Sequence, residues 1–89
     1  MNIEYTVQIW KEGNQYVAHA MPLDVMSSGK TPEEAKRAVK EAVALFITTA
    51  QEIGTLQDIL QECGYIKIDN EFISPSWVSF EKQEAELSI

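Results

Sequence analysis

Gly29-Lys30-Thr31-Pro32-Glu33-Glu34-Ala35 is the stretch where strand-like patterning gives way to a helix. Thr31 carries a hydroxyl that can accept a hydrogen bond from a free amide of the first helical turn. Pro32 has the fixed φ suited to the first helical position, and Glu34 stands three residues after Thr31, where a capping-box carboxylate reaches back. Glu33 and Glu34 also set negative charge against the positive end of the helix dipole. Beyond them Ala35, Ala38, Val39, Ala42, Phe46 and Ala50 recur at steps of three and four, and Val43 and Ile47 widen the stripe. Lys36, Arg37, Lys40 and Glu41 face the other way. The spacing predicts a helix over 31–50, held close to a sheet by its alanines. It should end within 48–53, where β-branched residues precede Gly54.

Upstream, Ile3, Tyr5, Val7 and Ile9 alternate with Glu4, Thr6, Gln8 and Trp10, the period of a half-buried strand over 3–10. Gly13-Asn14 separates it from a second strand over 15–20, so a hairpin is expected. A third strand over 25–28 stops at Gly29. Downstream, Thr55 is placed to cap a short helix from Leu56 to Cys63, whose Leu56, Ile59, Leu60 and Cys63 share a face, and Gly64 ends it. Tyr65 to Ile68 reads as extended, Asp69-Asn70-Glu71 as a turn and Phe72-Ile73 as a short apolar run. Ser74-Pro75-Ser76 interrupts that run before an expected last strand, Trp77-Val78-Ser79-Phe80. The expectation is an α+β fold, a small antiparallel β-β-β-α sheet-plus-helix domain over residues 1–80, with a second short helix and a C-terminal strand. An acidic tail follows over 81–89.

Eighty-nine residues, 45% of them hydrophobic, make one small domain with a thin core, for which a second copy is a ready source of further burial. A homodimer or higher oligomer is therefore expected. Trp10 lies on the opposite face of the first strand from Ile3, Tyr5, Val7 and Ile9, and Trp77 follows a proline. Both tryptophans are candidate interface residues. The formal charge is −7 and is uneven: residues 1–51 hold six acids and five bases, residues 52–89 eight acids and two bases. Such a surface argues against phosphate-rich partners and suits a basic protein. The longest apolar stretch, from Ala42 to Ile47, is far short of the roughly 20 residues that cross a bilayer. With one cysteine, Cys63, and no basic-then-apolar start, a reducing cytoplasmic location is expected, with no membrane partner.

Residues that would carry chemistry are sparse. The single histidine, His19, lies on the strand face opposite Tyr16, Ala18 and Ala20. It is forty-four residues from Cys63 and has no metal-ligand spacing around it. Cys63 sits on the apolar side of its helix. Gly29-Lys30-Thr31 lacks the earlier glycine of a phosphate loop, Val25 standing in its place, and Glu33 and Glu34 would repel a phosphate there. Asp69, Asn70 and Glu71 lack the central glycine and closing glutamate of a calcium loop. No catalytic, cofactor-binding or metal-binding residue is assigned, and a non-enzyme is expected.

From Tyr5 to about Gly64 the chain resembles the HicB-like antitoxin family. The resemblance rests on Tyr5-Thr6-Val7-Gln8-Ile9, Tyr16-Val17-Ala18-His19-Ala20, the Gly-x-Thr-x-x-Glu-Ala pattern of residues 29–35 with Ser27 before it, and Ala38-Val39-x-Glu41-Ala42. The chain departs from the family at Pro22-Leu23-Asp24-Val25, where relatives carry a Pro-Gly-Cys-like turn, and at Lys30, where an aspartate is common. The resemblance implies a partial ribonuclease-H-like core without ribonuclease activity. It also implies binding and neutralisation of a small basic, HicA-like mRNA-cleaving toxin that uses a catalytic histidine. No direct nucleic-acid contact is expected, since little length remains for a separate DNA-binding domain. Within this reading Glu62, Asp69 and Glu71 supply carboxylates to the toxin, and Tyr65 and Phe72 supply apolar anchors; the other reading leaves these acids as a solvated surface and packs Tyr65 against the sheet. Glu52 and Asp58 add charge nearby. The alternative is an orphan HicB-like oligomer with a regulatory or structural role and no toxin.

Overall fold

A computed structural model describes residues 1–88; residue 89, the last of the expected acidic tail, lies outside the described residues. The elements in chain order are β1 (Asn2–Ile3), β2 (Thr6–Glu12), β3 (Gln15–Met21), β4 (Val25–Gly29), α1 (Pro32–Glu52), α2 (Leu56–Glu62), β5 (Ile66–Ile68) and β6 (Glu71–Ile73). They form two three-stranded sheets, β2-β3-β4 and β1-β6-β5. The first is antiparallel throughout; in the second β1 runs parallel to β6, and β6 antiparallel to β5. The fold class is α+β, as the patterning implies.

The expected first strand, 3–10, is two strands broken at Glu4 and Tyr5, so one stretch of chain serves both sheets. Glu4 is the joint. Its amide donates to the Phe72 carbonyl (3.1 Å), its own carbonyl accepts from the Tyr65 hydroxyl, and its Oε1 accepts from the Ser74 amide (3.1 Å) and hydroxyl (2.7 Å). The β2–β3 hairpin closes through Gly13 and Asn14, with Glu12 opposite Gln15. Gly13 takes φ +63°, the left-handed value that a two-residue hairpin with glycine first requires.

Helix α1 begins as its sequence specifies. The Glu34 amide donates to Thr31 Oγ1 at 3.0 Å, and Pro32 occupies the first turn. The Glu34 carboxylate reaches one residue further than a capping box, accepting from the Lys30 amide at 2.9 Å. Both helices end in the same way. The Gly54 amide donates to the Gln51 carbonyl and the Thr55 amide to the Ala50 carbonyl; the Gly64 amide donates to Gln61 and the Tyr65 amide to Leu60. With φ of +79° and +86°, Gly54 and Gly64 make two Schellman caps. Thr55 does not cap α2 with its side chain as expected; its hydroxyl turns back to the Ala50 carbonyl at 3.4 Å.

Ala35, Val39, Val43 and Ala50 are the buried line of α1, so the stripe is centred between the expected residues, and Ala38 and Ala42 lie at its margin. This line packs on Ala18 and Ala20 of β3, while Leu56 and Leu60 of α2 extend the core towards Tyr65 and Phe72. Each fully buried Val or Leu contributes about 1.5–3 kcal/mol, so Val39 and Leu60 are the densest points of a small core. Gly29 sets how close helix and sheet come. A Cβ there would lie 2.6 Å from the Ala35 nitrogen and 2.7 Å from Glu34 Cβ.

The C-terminal strand is Glu71–Ile73, and the expected strand Trp77–Phe80 joins no ladder. Pro75 has no N–H to donate, which stops pairing where β6 would otherwise continue along β2. Residues 74–88 instead form an arm without a ladder, rooted at Glu4.

Candidate partner-binding surfaces

The β5–β6 hairpin divides the expected partner-binding residues in two. Ile66 pairs with Ile73, Lys67 with Phe72, and Ile68 with Glu71, so alternate residues face opposite ways. Phe72 points inward and is 7% exposed, with Lys67 Nζ 5.7 Å from its ring centroid. Tyr65, C-terminal to the Gly64 cap, is 8% exposed. Neither aromatic is a surface anchor. Both are held in the chain's own core, because the cap and the hairpin register turn them inward.

Glu62, Asp69 and Glu71 are exposed. Glu62 ends α2 while Asp69 lies in the turn beyond β5, and three extended residues span roughly 10 Å, so these carboxylates line the hairpin rather than clustering at Gly64. Exposed apolar surface on the hairpin comes from Ile66 (64%) and Ile68 (57%) on edge strand β5. Their alternation about Lys67 was the available signal.

Burial governs the titration of the two groups beside this hairpin. Desolvation first, then the carboxylates of Glu62 and Asp24, push the Cys63 thiol up, which keeps it a poor nucleophile at neutral pH. Tyr65 is pushed up to about 12, mainly by burial and then by Cys63, Glu4 and Tyr5. Among the described residues no group of three or more His, Cys, Asp or Glu is arranged around a metal position, and no helix is long and apolar enough to cross a membrane.

A second surface is the sheet face turned away from α1. The register places Gln8, His19 and Met26 in one row, with Trp10 and Val17 beside it. His19 therefore faces away from the buried Ala18 and Ala20, as its position in the alternation requires. Its Nε2 donates to Asp24 Oδ1 at 2.6 Å, and the Trp10 ring meets it edge-on with centroids 6.3 Å apart. Asp24 reaches His19 from a left-handed backbone position, φ +62°. Trp10 is 38% exposed, and its indole donates to Glu12 Oε2 at 3.3 Å. Trp77 donates to Thr6 Oγ1 at 3.0 Å, stacks on Phe80 with centroids 4.7 Å apart, and lies beside Pro22. The two tryptophans thus sit on the same sheet face, at opposite ends of β2.

In comparisons with known proteins, no family model, no curated protein and no solved structure matches this chain.

Proposed function

We propose that this chain is a non-catalytic, HicB-like antitoxin that binds and neutralises a small basic mRNA-cleaving toxin in the cytoplasm. The observation that carries the reading is the joint at residues 29–35. The Gly-x-Thr-x-x-Glu-Ala pattern acts there as one unit, with Gly29 against the Ala35 backbone, Thr31 capping the helix and Glu34 tying back to Lys30. This unit follows three antiparallel strands and opens the helix that covers them, the order of the family the sequence resembles.

A toxin of this kind brings positive charge to RNA phosphates, and an inhibitor has only to occupy that surface. The β5–β6 hairpin offers Glu62, Asp69 and Glu71 as carboxylates and Ile66 and Ile68 as anchors, in place of the buried Tyr65 and Phe72. Carboxylates that steer a basic partner act mainly on association and weaken with salt, whereas apolar anchors act on dissociation.

The test takes the small basic protein encoded beside this chain and measures its RNA cleavage and its binding kinetics. Inhibition at stoichiometric ratio is expected, with Glu62→Gln plus Asp69→Asn slowing association and Ile66→Ser plus Ile68→Ser speeding dissociation. A neighbouring gene without such a product, or a product that neither binds nor is inhibited, rejects the proposal in favour of an orphan oligomeric domain. Normal binding by both folded variants removes the hairpin from the mechanism.

A further inference from the structure

Residues 74–88 follow β6 directly but form no ladder, while exposing Trp77 (44%), Val78 (97%), Phe80 and Leu87. Such a segment in an otherwise folded chain is a large apolar surface without cover. It also lengthens the molecule. The radius of gyration is 15.4 Å, against about 12 Å for a compact chain of this length, and the long axis is 48 Å.

Beside the arm lies an edge without a partner. Among the described residues β2 pairs only with β3, so the outward amides and carbonyls from Val7 to Glu12 have no ladder there. The arm starts at the foot of this edge, held by Ser74 on Glu4 and Trp77 on Thr6, and then fails to pair along it because Pro75 breaks the ladder. Within one copy, the arm and the edge therefore stay unpaired.

We propose that a second copy of this chain completes both: two copies exchange their arms, each laying residues 77–86 along the free edge of the other's β2. Ser74 meets Glu4 and Trp77 meets Thr6, so the arm sets out in the direction of its own β2, and a two-fold axis that sets the two β2 edges facing each other makes it antiparallel to its partner's. Antiparallel addition needs no crossover and satisfies the edge amides. Laid down as a strand, the arm would set Val78 and Phe80 on one side and Trp77, Ser79 and Glu81 on the other, which parts the Trp77–Phe80 stack of the single copy. Ile9 and Trp10, both 38% exposed, lie on the two sides of the receiving edge. The charges can pair in both directions, Lys11 on that edge with Glu81, Glu84 or Glu86 on the arm and Lys82 on the arm with Glu12, and none of them forms an ion pair within one copy among the described residues. Two exchanged arms double the contact, towards the roughly 1,600 Å² of a standard stable interface. The exchange does not depend on a toxin.

Sedimentation equilibrium at micromolar concentration tests it on the full chain. A species of twice the 10.1 kDa chain mass is expected. Val78→Pro, at a position almost fully in solvent, should leave the circular dichroism unchanged and convert the dimer to monomer. The second measurement mixes a copy bearing Ile9→Cys with one bearing Phe80→Cys, both with Cys63→Ala, and oxidises them. A disulfide joining residue 9 of one copy to residue 80 of the other is expected, identified by peptide mass. A wild-type monomer overturns the proposal, as does a Val78→Pro dimer or the absence of the crossed disulfide. A wild-type monomer whose arm is protected from protease only by a basic partner reassigns the arm to that partner.

Discussion

Gly29→Ala isolates the contact on which the strand–helix joint depends. The added methyl would stand 2.6 Å from the Ala35 amide nitrogen, 2.7 Å from Glu34 Cβ and 2.8 Å from the Glu34 carbonyl carbon. Two of the three atoms are backbone, in the first turn of a capped helix, so the neighbours cannot clear the space by a rotamer change. Overpacking of this kind costs about 1–3 kcal/mol. Alanine returns about 0.4–1 kcal/mol by restricting the unfolded chain. The net loss should be about 1.3 kcal/mol, equivalent to a fall in Tm of about 5–10 °C for a domain this small. Urea unfolding followed by far-ultraviolet circular dichroism measures it, with Ser28→Ala at the exposed neighbouring position as the comparison. That control should stay within about 0.5 kcal/mol of wild type. Equal midpoints for the two variants would refute the reasoning, because the helix could then retreat from the sheet at no cost.

Three further outcomes are expected. Leu60→Ala, at 1% exposure in the middle of the core, should lose about 2–5 kcal/mol in urea unfolding. Thr31→Ala removes the cap on the Glu34 amide and should lose about 1 kcal/mol, with Thr31→Ser retaining most of it. Tyr65 keeps its proton to about 12 when folded, against 10 for the ordinary phenol. The native state therefore binds the extra proton in that window, and this contribution is whole below pH 10 and is lost as pH rises towards 12. Urea midpoints on either side of pH 10 should fall less steeply for Tyr65→Phe than for wild type, although the variant is weaker at neutral pH by the loss of its bond to Glu4.

The parts of the fold that were legible in the sequence are those set by neighbouring residues. Thr31, Pro32 and Glu34 start α1, Gly54 and Gly64 end the helices, and Gly13-Asn14 closes the hairpin; each acts within about five residues. The readings that failed depend on distant partners. Trp77 to Phe80 has better strand character than Glu71 to Ile73, yet only the latter joins a ladder, between β5 beside it and β1 nearly seventy residues earlier. Tyr65 reads equally as an anchor or as packed inward, and Phe72 as an anchor, because the depth at which the second sheet meets α2 is not written in their neighbourhood. The hydrogen bond between His19 and Asp24 was hidden for a related reason, since Asp24 reaches the ring from a left-handed backbone position. Of the candidate partner-binding residues the carboxylates are placed outside and the aromatics inside, a division that follows from hairpin register.

The break in the chain at Glu4 and Tyr5 has a consequence for the order in which the molecule opens. β2, β3, β4 and α1 are joined by short connections, whereas β1 must find β6 across most of the chain and meets it through only two paired residues. Closing the larger loop costs more entropy, and fewer bonds repay it. The amides of Asn2 and Glu4 should therefore exchange with solvent well before those of Ala18 and Ala20, through an opening that frees the N-terminus, β5 and β6 while the hairpins stay closed on α1. Because the arm is tied to Glu4, anything that grips the arm also holds that opening shut, so occupancy at one end of the chain is registered as slower hydrogen exchange at the other.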